Sequence, residues 1–221
     1  MIACFGGTFD PVHNGHLEAA KEVLTRAVCE EVRLIPCHIP PHRGVPHASP
    51  AHRLAMLELA VADCPGLVVD ARELTRDGPS YTVETLRSLR QDYGPDVALG
   101  WVLGVDAAAT LEAWEAWQRL PELAHLLLLD RPGVSLPTSG PVADLLAPGL
   151  TDEVADLHRV PAGHTWRVRQ PQQAVSATEV RRTLATGRSA AHLLPVPVWA
   201  YIRQQGLYGC HGVPGHSAES E

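Results

Sequence analysis

Apolar residues in this chain follow two rhythms that alternate along most of its length. Short runs at Ile2 to Phe5, Val32 to Pro36, Leu67 to Ala71, Val97 to Gly104 and His125 to Asp130 lack the polar alternation of a half-solvated strand. They read as strands buried on both faces. Between them, apolar residues recur at helical spacing: Leu17, Ala20, Leu24 and Val28, then Leu54, Leu57 and Val61, then Val83, Leu86, Leu89 and Tyr93. Ser49 followed by Pro50 marks the start of one helix, and Asp106 is expected to cap another between the last two strands. Strand and helix alternating in this way predict an α/β fold, a parallel sheet with helices on both faces. Such sheets bind ligands at the carboxyl ends of their strands, where the strand order reverses.

The carboxy-terminal third is less regular. Residues 132–150 hold four prolines and three glycines and are expected to form an exposed connection, while the alternation in 158–169 allows one or two short strands. Ser176-Ala-Thr-Glu179 reads as a capping box, and a last helix, Val198 to Gln205, stops at Gly206. We therefore expect one Rossmann-like domain over 1–209 with a small helical portion at about 171–209, followed by a flexible tail, 210–221. A formal charge of −7 argues against a broad nucleic-acid surface. No run reaches the roughly 18 apolar residues of a membrane span, and the first residues lack a signal-peptide pattern, so a cytoplasmic protein without membrane partners is expected. The five cysteines are scattered and odd in number, which suits reduced packing thiols.

The candidate chemistry lies between the first strand and the first helix, in GGTFDPVHNGH, residues 6–16. Gly6 and Gly7 are expected to let the backbone turn sharply and approach a ligand, and a helix from about Gly15 would aim its free N–H groups at the same crevice. The combination describes a phosphate seat. His13 and His16, at the mouth of that helix, offer imidazole N–H donors to phosphoryl oxygens. By itself H-x-x-H suits capping or surface roles as well; the combination with a strand end, Gly-Gly-Thr and Asp-Pro is the informative part.

GGTFDPVHNGH resembles the signature of the nucleotidyltransferases related to class I aminoacyl-tRNA synthetases. Further segments follow in order: IPCHIPPHR (35–43), HASPAHRLAMLELA (47–60), ELTRDGPSYTVETLRSLR (73–90), WVLGVDAAATLEAW (101–114), LLDRPG (128–133) and VSATEVRRTL (175–184). Together they are similar to the bacterial nicotinate-mononucleotide adenylyltransferases over nearly 2–208, loosely so in 134–170. The resemblance implies adenylyl transfer from ATP to nicotinate mononucleotide in NAD biosynthesis, with Mg²⁺ carried on the ATP. It implies that Gly6, Gly7, Thr8 and Phe9 line the ATP side and that His13 and His16 contact the phosphates. His42 and Arg43 would close over the triphosphate. Gly104 and Asp106 match the family's GxD, and Ser176, Thr178 and Arg181 its second ATP-facing helix start, with Val175 and Val180 as mild departures. Ser80, Tyr81 and Thr82 would face the mononucleotide, Trp114 would stack on its pyridine ring, and Arg131 matches the arginine after the fifth strand. Taken without the resemblance, Thr82 fits a helix cap and either Trp114 or Trp117 fits a core position; Trp117 is expected to be packing.

The sequence contains no G-x-S-x-G and no Gly-Lys pair, so neither a serine nucleophile elbow nor a Walker A loop is present. The chemistry expected is direct attack of a mononucleotide phosphate oxygen on the ATP α-phosphorus, in line with departing pyrophosphate. Alternatives are, within the superfamily the resemblance names, another adenylyltransferase acting on nicotinamide mononucleotide or phosphopantetheine, and otherwise a silent nucleotide-binding module, or a zinc-dependent hydrolase using Cys37, His38, His42 and His47. The last is disfavoured because those four lack paired metal-ligand spacing. Oligomeric state is not encoded in any motif.

Overall fold

The computed structural model describes residues 1–40, 44–130, 133–168 and 175–210. The chain runs through strand β1 (Ile2–Gly7), helix α1 (Asn14–Arg26), β2 (Glu31–Pro36), α2 (Pro50–Val61), β3 (Leu67–Val69), α3 (Thr82–Tyr93) and β4 (Leu99–Gly104). There follow α4 (Val105–Ala108), α5 (Leu120–Leu123), β5 (His125–Leu129), α6 (Pro141–Leu146), β6 (Leu150–Thr151), β7 (Thr165–Val168), α7 (Ala177–Ala185) and α8 (Val196–Gln205). Seven strands form one sheet in the order β3-β2-β1-β4-β5-β7-β6, and every neighbouring pair is parallel. This is the doubly wound, Rossmann-like architecture. The order reverses between β1 and β4, which opens a crevice beyond the carboxyl ends of those strands.

Two apolar layers explain the unbroken character of the strands. Alternate residues of one strand enter opposite layers, as Leu127 and Leu129 do on one side and Leu126 and Leu128 on the other. The first layer collects α1, α2, α7 and α8 through residues such as Val23, Met56, Leu184 and Ile202. The second collects α3 to α6 through Leu86, Val105, Leu120 and Leu146. Since α7 and α8 share the layer that holds α1 and α2, the carboxy-terminal helices are part of the main core. Tyr201 on α8 also bonds His52 on α2, Oη to Nδ1, at 2.9 Å. No helix among the described residues is long and apolar enough to cross a membrane.

Several sequence expectations shift. Helix α1 ends at Arg26, and Val28 lies beyond it, 62% exposed with φ 52°; Val23 takes the buried place expected of Leu24. The segment 132–150 is not only a connection, since it holds α6 with Pro141 in its first turn and the short edge strand β6. Residues 158–169 contribute one strand, β7. Ser49 caps α2 as expected, accepting from the His52 N–H at 3.3 Å, and Gly206 closes α8 in the left-handed conformation, φ 61°. The five cysteines are free thiols.

His125 begins β5 and is fully buried. Its Nε2–H donates to the Val160 carbonyl at 3.0 Å, and its Nδ1 accepts the His164 N–H at 3.0 Å. A second ring proton would oppose that N–H donor in an apolar setting, and burial pushes the imidazole down to about 4. The unfolded chain takes up a proton near the ordinary value of 6.5 while the folded chain stays neutral to about 4, so stability falls as pH drops through that window. Chemical denaturation should show a loss of roughly 2 kcal/mol between pH 7 and pH 5 attributable to this residue. His125→Gln should flatten that difference; an unchanged slope would assign the acid loss to other groups.

Candidate active site

At the β1/β4 switch point the structure brings together the end of β1, the histidine pair and the start of α7. Gly6 and Gly7 are the last residues of β1, paired with Ile35 and Pro36 of β2. They do not make the turn. Gly6 is needed because a Cβ there would stand 2.6 Å from the Trp101 ring on β4, and at Gly7 it would stand 3.1 Å from the Phe9 ring. The chain turns instead at Phe9, whose φ is 49°, and at the cis Asp10–Pro11 bond. That turn delivers His13 to the N-cap of α1 and His16 to its third position.

The two imidazoles are stacked, with ring centroids 3.7 Å apart and 26° between planes. The backbone N–H of His13 donates to His16 Nδ1 at 3.3 Å, so the neutral His16 ring carries its proton on Nε2. Phe9 meets the same ring edge-on at 5.0 Å and Phe5 at 6.1 Å. The histidines therefore act as a fixed pair at the positive end of a thirteen-residue helix. Gly15 lies between them, and a Cβ there would come within 3.2 Å of His13 Nδ1 and 3.7 Å of the Val175 carbonyl. Alanine is ordinarily favoured over glycine inside a helix by about 0.5–1 kcal/mol. Gly15→Ala should thus leave melting temperature nearly unchanged while cutting turnover about tenfold or more through displaced His13, since small misplacements of reacting groups are costly. Equal turnover in the variant would show that the His13 ring position is not critical.

The contact with Val175 brings a second helix start to the crevice. Ser176 caps α7, accepting the Glu179 N–H at 3.1 Å, and Thr178 is exposed in the first turn. Arg181 reaches back across the site, donating to the Asp10 carbonyl at 2.7 Å and to Thr178 Oγ1 at 3.3 Å. Gly104 ends β4 and is itself the N-cap of α4, so Asp106 is the second helical residue, exposed, rather than the cap. The next helical turns are short, and the 3₁₀ turn Leu111–Ala113 leads to Trp114.

Trp114 and Tyr81 are both half-buried against the second apolar layer, whereas Trp117 is a core residue at 9% exposure, as expected of it. Tyr81 is the N-cap of α3 and Thr82 its first residue, which removes the capping role that Thr82 alone allowed. Ser80 is buried and accepts the His38 N–H at 2.9 Å. His42, Arg43 and Arg131 lie outside the described residues. Among the described residues no three His, Cys, Asp or Glu side chains group as metal ligands.

Two further residues, whose contacts no local pattern reports, hold this region together. Asp10 is buried, and its carboxylate accepts the His47 N–H at 2.7 Å, the Ala48 N–H at 3.0 Å and the Tyr208 hydroxyl at 2.7 Å. Burial alone would raise this carboxyl; the bonds from His47, Tyr208 and Ala48, with the Arg181 charge, hold it below the usual carboxylate range. Arg53, fully buried on α2, donates to the Thr8 carbonyl at 2.8 Å. A hydrophilic residue at a core position of a helix was detectable only as an exception to the apolar stripe.

Comparison with known proteins agrees with this geometry. Residues 4–183 match the family model described as cytidylyltransferase-like. A protein of Marinobacter nauticus named "Probable nicotinate-nucleotide adenylyltransferase" is 44% identical over 97% of this chain and all of its own length. One of the same name from Aeromonas salmonicida is 48% identical over 94% of this chain and 96% of its own. Among solved structures, the Plasmodium falciparum nicotinic acid mononucleotide adenylyltransferase complexed with NaAD superposes with a TM-score of 0.71 at 15% identity, covering 94% of this chain and 97% of that one. That likeness concerns the fold, and the family membership rests on the closer sequences. With the end of β1, the histidine pair and the second helix start all inside the matched span, the chain belongs to the nicotinate-nucleotide adenylyltransferases of the cytidylyltransferase-like family.

Proposed function

We propose that this enzyme transfers the adenylyl group of ATP to nicotinate mononucleotide, giving nicotinate adenine dinucleotide and pyrophosphate, a step of NAD biosynthesis in the cytoplasm. The observation that carries the reading is the match at 44–48% identity, over nearly the whole chain, to relatives named for this reaction. In the reaction a phosphate oxygen of the mononucleotide forms a bond to the ATP α-phosphorus. The bond from that phosphorus to the bridging oxygen breaks, and the electron pair leaves with pyrophosphate. The enzyme itself forms no covalent bond.

In this reading Gly6, Gly7, Thr8 and Phe9 line the ATP side, and His13 and His16 donate to the phosphates from the start of α1. Ser176, Thr178 and Arg181 meet the nucleotide from α7, and Gly104 and Asp106 from the end of β4. His42 and Arg43 close over the triphosphate. Ser80, Tyr81 and Thr82 hold the mononucleotide, Trp114 stacks on its ring and Arg131 binds on the same side. The donor set fits a metal that arrives on the nucleotide, since among the described residues the crevice offers N–H and hydroxyl groups and no cluster of three metal-ligating side chains. Mg²⁺ on the triphosphate supplies charge neutralisation for the leaving pyrophosphate. Holding two reactants in line contributes roughly 7–11 kcal/mol, and each donor aimed at developing charge about 3–4 kcal/mol.

The test is a side-by-side assay of nicotinate mononucleotide, nicotinamide mononucleotide and phosphopantetheine with ATP and Mg²⁺, the products being identified by chromatography. Nicotinate adenine dinucleotide should form fastest. Preferential turnover of phosphopantetheine, or ATP binding with no pyrophosphate release, would overturn the assignment.

A further inference from the structure

Arg53 occupies a place where an apolar side chain is the default. It shares the core-facing stripe of α2 with Met56, Leu57 and Ala60 and is fully buried. Burying a guanidinium costs several kcal/mol unless its charge and donors are met. Among the described residues it forms no ion pair, and its Nε has no acceptor. Its two terminal nitrogens go to main-chain carbonyls of different segments, Nη1 to Thr8 at 2.8 Å and Nη2 to His38 at 3.3 Å. Thr8 belongs to the loop assigned to ATP.

From His38 the bonding continues to the loop assigned to the mononucleotide. The His38 N–H donates to Ser80 Oγ at 2.9 Å, and the Ser80 N–H donates to the Ile39 carbonyl at 3.0 Å, beside a parallel bridge between Ile39 and Pro79. Beside Ser80 lies Glu73, a carboxylate only 4% exposed whose charged form the Ser80 hydroxyl favours and which accepts from Thr85 Oγ1 at 2.5 Å. The loops at Thr8 and Ser80 are thus joined through the Arg53 side chain, the His38–Ile39 main chain and Ser80.

We propose that Arg53 is a positioning residue that keeps the loop at Thr8 and the loop at Ser80 in fixed register, through His38, with Glu73 anchoring the far end. The inference rests on the adenylyl-transfer reading, which makes those loops the two sides of the reaction. In-line displacement requires the separation of the two bound nucleotides to be held, and a shift of about 1 Å from a remote change can cost about 100-fold in rate. The planar fork of a guanidinium fixes the relative direction of two carbonyls, which a single ammonium point charge does not.

Arg53→Lys, Glu73→Gln and the double variant test this, with wild type alongside. Calorimetry gives Kd for each nucleotide alone, turnover gives kcat, and circular dichroism checks the fold. Arg53→Lys should bind ATP and nicotinate mononucleotide separately within about 3-fold of wild type while kcat falls about 100-fold. Glu73→Gln should lose about 10-fold in kcat, and the double variant should fall little below Arg53→Lys, because both act on one chain of contacts. A kcat for Arg53→Lys within about 2-fold of wild type, a loss confined to one nucleotide's Kd, or additive losses would overturn the positioning role. If Arg53→Lys does not fold, Glu73→Gln decides: lowered kcat with both Kd values kept supports the role, and any other result overturns it. Wild type that makes no nicotinate adenine dinucleotide would instead sink the functional reading on which the inference stands.

Discussion

His16→Ala should lower kcat by about 10²–10³-fold and leave a folded protein, because it deletes one fixed donor to charge that develops on the phosphates. The donor is fixed before substrate arrives. His16 Nδ1 accepts the His13 N–H at 3.3 Å, which puts the ring proton on Nε2, and the ring is held between the stacked His13 at 3.7 Å and the edge of Phe9 at 5.0 Å. Alanine also removes the cap-like bond to His13, a loss of about 1 kcal/mol. For a domain of this size that lowers the melting temperature by roughly 2–4 °C, far short of unfolding. Turnover and melting measured on one preparation separate the effects. A variant with near-normal kcat would remove His16 from the chemistry.

How much of this could be read in advance depends on the kind of signal each element leaves. Buried parallel strands announce themselves as continuous apolar runs, which is why β1, β2, β4 and β5 fall where the hydrophobic pattern put them. Strand β6 has two residues, too few to carry any period. The start of helix α4 lies two residues before the one its sequence suggests, because its cap is Gly104, which has no side chain to show, while Asp106 has the chemistry of a cap without occupying the position. On α2 the apolar stripe was read through Leu54, Leu57 and Val61, but the buried face is Arg53, Met56, Leu57 and Ala60. A polar residue inside a period looks like a solvent position until its partners are known. The histidine motif was legible because its residues are close in sequence. The Arg53 and Asp10 contacts join segments from 15 to 198 residues apart, and no local pattern reports them.

Asp10→Asn should cost about 3 kcal/mol of stability, which is a fall of roughly 6–12 °C in melting temperature. The carboxylate accepts from His47, Ala48 and Tyr208, and an amide offers one oxygen and turns N–H groups toward the remaining donors. Tyr208→Phe should cost about 1 kcal/mol in the native background. In the Asp10→Asn background the phenol has already lost its charged acceptor, so the second cost should shrink, and the two changes should add to less than their sum. Acid titration supplies a separate check. The folded carboxyl lies below its ordinary range, so its contribution is complete above the unfolded value of about 3.9 and is lost as pH falls through the lower folded value. Asp10→Asn should remove that last acid limb while leaving the His125 limb between pH 6.5 and 4 intact. Strict additivity with Tyr208→Phe, or an unchanged limb below pH 4, would mean that Asp10 does not tie the loop before α1 to the turn that carries Tyr208.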